Sequence, residues 1–166
     1  MFKFKLISRE AVPAALEKAA RYRHLNEPAE AESICLDVLE IDPDNREALV
    51  TLLLALTDQF EDRLAEKVPR ALEVLSRLRD EYQREYYAGV VRERQAKAFL
   101  KKAVPGSGEA SYGWLREAMK HFEKAADIRP AGDDSAILRW NTCARIILSE
   151  PEVASQVGES TEEMLK

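Results

Sequence analysis

Residues 29–43 read AEAESICLDVLEIDP, and residues 116–130 read REAMKHFEKAADIRP. Laid side by side without a gap, they set Ala31, Cys35, Val38 and Pro43 against Ala118, Phe122, Ala125 and Pro130, a small–large–small–proline register copied at an offset of 87 residues. Positions i, i+4 and i+7 fall on one face of a helix, and the proline follows where its missing N–H and its ring stop the helix. A register written twice predicts a helical repeat, in which each unit buries its apolar face against its neighbours.

The rest of the composition agrees with that reading. With 166 residues, 46% hydrophobic and 33% charged, and only 6 glycines, the chain suits one all-helical domain of long, solvated helices around a core. A formal charge of −5 argues against general affinity for nucleic acid, which needs a basic surface to neutralise phosphates. The chain has no apolar run long enough to span a bilayer, and its opening MFKFKLISRE lacks the apolar core of a secretory signal. No membrane association and a cytoplasmic location are therefore expected. Cys35 and Cys143 are too far apart and too few for a disulfide framework or a metal-ligand spacing, so both are expected to be reduced, buried thiols.

Along the chain, Phe2, Phe4 and Leu6 alternate with Lys3 and Lys5, and residues 1–10 form an arm that is disordered or irregularly packed. Apolar spacing predicts a first helix from about Ala11 to Leu25, stopped near Asn26, and Pro28 opens a second that runs to about Ile41. Asp44 with Glu47 makes a capping-box-like start to a third, nearly all-apolar helix over about 46–59. Pro69 is expected to start its partner, in which Ala71, Leu75 and Leu78 fill the repeated register. A long charged helix follows over 81–102, then a loop AVPGSGEAS, a helix from about Ser111, and a last helix over about 133–148 that Pro151 ends. Residues 11–148 make one helical domain, and 149–166 an acidic, disordered tail.

The two quoted segments resemble the second helix of a tetratricopeptide repeat, whose pattern closes A-x3-F…P on a period of 34. Ala19 and Tyr22 match that family's first helix, whereas Ala15 and Lys18 stand where it has tryptophan and leucine, and Gln83 takes the slot of a closing proline. The resemblance implies an all-α, TPR-like architecture of about three antiparallel helix pairs plus a C-terminal cap helix over residues 11–148. Ala71 and Ala118 then place extra residues within the second and third repeats.

Few residues suggest chemistry. His24 and His121 are the only histidines, and neither has a cysteine, carboxylate or second histidine at a ligand spacing, so no metal, no cofactor and no enzyme activity is expected. Gly106-Ser107-Gly108 lacks the lysine-threonine ending and preceding strand of a phosphate loop and reads as a linker. Trp114 and Trp140 read as core residues between the third repeat and the cap helix, and the run Arg92, Arg94, Lys97, Lys101, Lys102 as a solvated face.

The resemblance also implies a peptide-binding groove, because the first helices of such repeats line a concave face. Leu16, Ala20, Arg23 and His24, with Val50, Leu54 and Thr57, would form its apolar floor. Tyr86, Val90, Arg94 and Lys97, with Ile137, Asn141 and Arg145, would continue it, three arginines lying toward one edge. An adaptor holding an acidic, partly apolar peptide or helix of another protein is the expected function. The arginines could equally pair with carboxylates of neighbouring helices. A secretion or assembly chaperone is the alternative, an enzyme or a purely self-assembling module fits less well, and homo-oligomerisation stays open. Leu16 and Ala20 disfavour capture of a chaperone's terminal carboxylate. The tail, with Glu152, Glu159, Glu162 and Glu163 among Val153, Val157, Met164 and Leu165, has the composition such a groove would accept.

Overall fold

The computed structural model describes the backbone of residues 1–164 and the side chains of residues 1–158. Among these there are eight α-helices and no strand: α1 (Val12–His24), α2 (Pro28–Ile41), α3 (Arg46–Thr57), α4 (Phe60–Ser76), α5 (Glu81–Lys102), α6 (Ser107–Asp127), α7 (Ser135–Ser149) and α8 (Pro151–Met164). A 3-10 turn at Arg9–Ala11 precedes α1. The chain divides into two compact units, residues 1–78 and 79–166.

In the first unit, α2 packs on α1 and α3, and α4 packs on α3. Proline begins the register as expected: Pro28 occupies the first turn of α2, where no intrahelical N–H is required. Asn26 ends α1 in a left-handed conformation, φ 59°, which asparagine tolerates better than most residues. The cap of α3 differs from the expected one. Asn45, not Asp44, accepts the Ala48 N–H at 2.9 Å, and its own amide donates to Asp42, so the short asparagine one residue later wins the position. Ala31, Cys35 and Val38 are fully buried, as are Leu53, Ala55 and Leu56 of α3.

Helix α4 corrects two expectations. It starts at Phe60, breaks its helical backbone at Arg63 (φ −138°, ψ 47°) and carries Pro69 inside. The residues ahead of the proline are anchored, Phe60 in the core and Lys67 by an ion pair, which holds the helix through a position that would otherwise end it. In the register, Ala71, Val74 and Leu78 are buried while Leu75 is half-buried, so the large position falls one residue earlier than in α2.

In the second unit, α5 packs along α6, α6 on α7, and α8 on both α6 and α7. The Asp80 side chain caps α5 by accepting the Gln83 N–H at 2.8 Å. Gly106, at φ 81°, turns the chain directly into α6, which begins at Ser107 rather than near Ser111 because the expected loop is only 103–106. Ala118, Phe122 and Ala125 are fully buried. Gly89 makes room for Phe122: a Cβ at position 89 would lie 2.5–2.8 Å from the phenylalanine ring.

The expected disordered tail is the other correction. Pro151 ends α7 and also opens α8, whose Val153 is fully buried. Gly108 permits this contact, since a Cβ there would meet the Glu152 carbonyl oxygen at 2.5 Å. Residues 1–8 are irregular, with Phe2, Phe4 and Leu6 in solvent.

Candidate functional site

The groove side chains expected from the sequence fall into both units. In the first, Leu16 is part of the core, Val50 and Leu54 are half-buried, and Ala20 and His24 are exposed. Arg23 is already engaged: its guanidinium donates two hydrogen bonds to Asp58, at 2.7 and 3.3 Å. Thr57 is buried, its hydroxyl donating to the Leu54 carbonyl. In the second, Val90 is fully buried, so it belongs to the α5 core stripe with Gly89, Glu93 and Ala96. Tyr86 packs among Tyr82, Tyr87 and Phe122, Lys97 pairs with Glu93 at 3.3 Å, and Arg94 is half-buried. Ile137 and Asn141 are half-buried and Arg145 exposed on α7.

Two polar clusters dominate the interior, and the sequence reading named neither. In the first unit the Glu32 carboxylate accepts from Gln59 Nε2 at 2.7 Å and Lys67 Nζ at 3.0 Å and pairs with Arg70. Burial alone would raise its pKa, but these three donors outweigh burial and hold the carboxyl below the usual range. In the second, Glu93 pairs with Arg139 at 2.6 Å and Lys97 at 3.3 Å, and the Cys143 sulfur lies 3.7 Å away. Arg139 continues to the Tyr86 hydroxyl at 3.2 Å and lies 6.0 Å from that ring's centre. Burial, reinforced by the Glu93 charge, pushes the Cys143 thiol up to about 12, and burial does the same to Cys35. Both free cysteines are thus protonated at neutral pH and unsuited to nucleophilic work.

The second unit carries an apolar cleft of about 300 Å³ between α6 and α7, lined by Phe122, Glu123, Ala126, Ile137 and Trp140. The repeated register builds it: Phe122 is the large residue of the α6 stripe, and Ala126, one turn on, is small enough to leave a gap. Trp140 is fixed across that gap by its indole N–H, which donates to Glu123 at 2.9 Å. Leu138 and Leu148 of α7 are 64% and 76% exposed, on the side of the helix that also carries Asn141 and Arg145.

No protein-family model, curated protein or solved structure matches this chain.

The remaining candidates carry less. His121 Nδ1 lies 2.7 Å from Glu85, a link between α6 and α5, and His24 is exposed on α1. Among the described residues no group of three or more His, Cys, Asp or Glu side chains is placed to hold a metal ion, and no helix is long and apolar enough to cross a membrane. Trp114, expected beside the last helix, instead meets Phe99 of α5 edge-on at 5.2 Å. A wider depression of about 520 Å³ surrounds the 103–109 turn, but Glu152 faces it, its carboxylate accepting from Ser107 at 3.3 Å and giving the α6 N-terminus its negative charge. The start of the tail is thereby built into the second unit; the side chains of Glu159, Glu162, Glu163, Met164 and Leu165 lie outside the described residues.

One signal for the missed clusters stands in the sequence. Glu93 lies three residues from both Val90 and Ala96, on an otherwise apolar stripe, where a carboxylate needs a cation from elsewhere in the fold. Its partner Arg139 is 46 residues away, and no local spacing reveals it.

Proposed function

We propose that this chain is a non-enzymatic adaptor of tetratricopeptide-like helical pairs that holds a partly apolar peptide or helix of another protein. The observation that carries this reading is the α6–α7 cleft: an apolar gap with a hydrogen-bonded tryptophan on its wall, continued along α7 by exposed leucines. The burial of Ala31, Cys35 and Val38 and of Ala118, Phe122 and Ala125 supports the repeat register on which the family resemblance rests. A partner helix would set an apolar anchor against Ile137 and Trp140 and place a carboxylate near Arg145. Arg23 contributes no free charge, so the acidic preference expected from three arginines narrows to the α7 edge. A cytoplasmic setting, where such adaptors meet their partners, belongs to the same proposal.

The test is recovery of partner proteins from native lysate by tagged parent, Ile137→Glu and Arg145→Glu proteins. Partners bound by the parent should be lost with Ile137→Glu and reduced with Arg145→Glu, while circular dichroism shows all three equally helical. Undiminished recovery with folded Ile137→Glu protein would refute the cleft as the docking site.

A further inference from the structure

The 1–8 segment and the α6–α7 cleft present complementary surfaces. Phe2 and Phe4 are 100% and 95% exposed, and Leu6 is 72% exposed. In an extended chain these three project to one side and Lys3 and Lys5 to the other, giving a ribbon with one apolar and one basic face. Such a cluster of aromatic groups in water is a mark of an interaction segment. The cleft offers the counterpart, an apolar gap with Glu123 on its α6 edge and Asp127 exposed one turn further along that helix.

We propose that residues 1–8 of one molecule seat in the α6–α7 cleft of a second copy, an aromatic ring of the arm resting against Trp140 and Ile137 while the long stems of Lys3 and Lys5, on the outward side of the ribbon, bend back over the α6 edge toward Glu123 and Asp127. The inference rests on the cleft being a docking site, and it names this chain's own arm as an occupant. Reciprocal exchange gives two identical contacts and a closed dimer, the second contact forming at the high effective concentration created by the first. The arm uses the acidic α6 edge, whereas the partner protein proposed above uses Arg145 on α7, so the two occupants respond to different substitutions.

Sedimentation of the full chain over a wide concentration range tests this, using parent, Phe2→Ser/Phe4→Ser and Ile137→Glu proteins. The parent should reach the mass of two chains and both variants should remain single. An equimolar mixture of the two variants, which supplies one intact arm and one intact cleft, should regain a weaker dimer. A synthetic peptide of residues 1–8, added to the arm variant in a Trp114→Phe background, should shift Trp140 emission, and Glu123→Gln should weaken that binding about tenfold. This peptide measurement does not depend on how Ile137→Glu folds.

A parent that stays single at every concentration, or a dimer that persists in the arm variant, overturns the proposal. So does a single chain whose Trp140 emission changes when its own arm is substituted, because the arm then has another seat. Loss of partner recovery with Ile137→Glu, combined with no response to the peptide, would end this inference and leave the docking role standing.

Discussion

Among the described residues each unit buries one glutamate and pairs it with a cation two helices further along the chain: Glu32 of α2 with Lys67 of α4, and Glu93 of α5 with Arg139 of α7. The device is shared and its redundancy is not. Glu32 has two cations and an amide, all from beyond α2, and its side chain is 9% exposed. Glu93 is 1% exposed, and among the described residues only Arg139 reaches it as a cation from another helix, because Lys97 lies one turn along α5 itself. Arg139 is also the link to Tyr86, whose ring packs with Tyr82, Tyr87 and Phe122. A buried carboxylate with spare donors tolerates loss of one, whereas a carboxylate with a single cross-helix partner makes that partner a keystone. In both units these interior charges secure helix packing, which directs a search for function to the rims.

Removing one donor from each cluster gives the largest expected contrast. Arg139→Ala leaves Glu93 with Lys97 of its own helix and the weak Cys143 thiol donor, and should cost about 3–5 kcal/mol, the usual consequence of breaking a buried pair. Lys67→Ala leaves Arg70 and Gln59 on Glu32 and should cost about 1–3 kcal/mol. Each unit holds one buried cysteine, Cys35 in the first and Cys143 in the second, so thiol trapping during denaturant titration reports each opening separately. Arg139→Ala should accelerate trapping of Cys143 and leave Cys35 at its parental rate. A cost for Lys67→Ala equal to or above that of Arg139→Ala would break the redundancy argument.

Legibility in the sequence followed the range of the determinant. The bounds of α2 and α5, Pro28–Ile41 and Glu81–Lys102, could be read locally, since proline, apolar spacing and the run of charge act within a few residues. Helix α4 could not, because a proline reads locally as a helix start, while the contacts that anchor the residues ahead of Pro69 are distant, Lys67 pairing with Glu32, 35 residues away. The tail misled for the same reason: its polar, acidic composition reads as disorder, while the burial of Val153 depends on the absence of a Cβ at Gly108. Of the groove residues, Ile137 could be placed beside a cleft, but Val90 was assigned to a surface when α5 turns it into the core. A helix of mixed polarity such as α5 has two plausible inward faces, and only its neighbour α6 selects one.

Glycine sharpens the comparison at intermediate size. Unit one brings helices together with fully buried alanines, Ala19 of α1 and Ala31 of α2, whereas unit two places Gly89 under the Phe122 ring. Gly89→Ala should therefore overpack by about 1–3 kcal/mol, offset by the roughly 1 kcal/mol that alanine gains in a helix. Gly113→Ala, in α6 with nothing within 4 Å of the added Cβ, has only the gain and should stabilise the protein by about 0.5–1 kcal/mol. Thermal unfolding of the two variants should move in opposite directions. A Gly89→Ala protein as stable as Gly113→Ala would mean that Phe122 can withdraw, and that the α5–α6 approach is looser than its buried ring implies.

The smallest effect concerns acid. Although burial raises the Glu32 pKa, Gln59, Lys67 and Arg70 together bring it below the usual glutamate range in the folded chain, so folding favours the charged form. The sign follows from proton binding: between the folded and unfolded pKa values the unfolded chain holds the extra proton, and stability rises with pH. The contribution of Glu32 is thus fully present above the unfolded glutamate value, about 4.3, and is lost as pH falls through the lower, folded one. Glu32→Gln keeps the shape and the ability to accept from Gln59 but has no charge to lose. Hydrogen exchange of α2 amides should show the variant less protected than the parent at neutral pH, with the gap narrowing as the solution is acidified below about pH 4. A gap of constant size from neutral to acid would show that Glu32 acts through packing and hydrogen bonds alone. The spare donors that make unit one tolerant would then be holding a geometry, with no net electrostatic gain from its two cations.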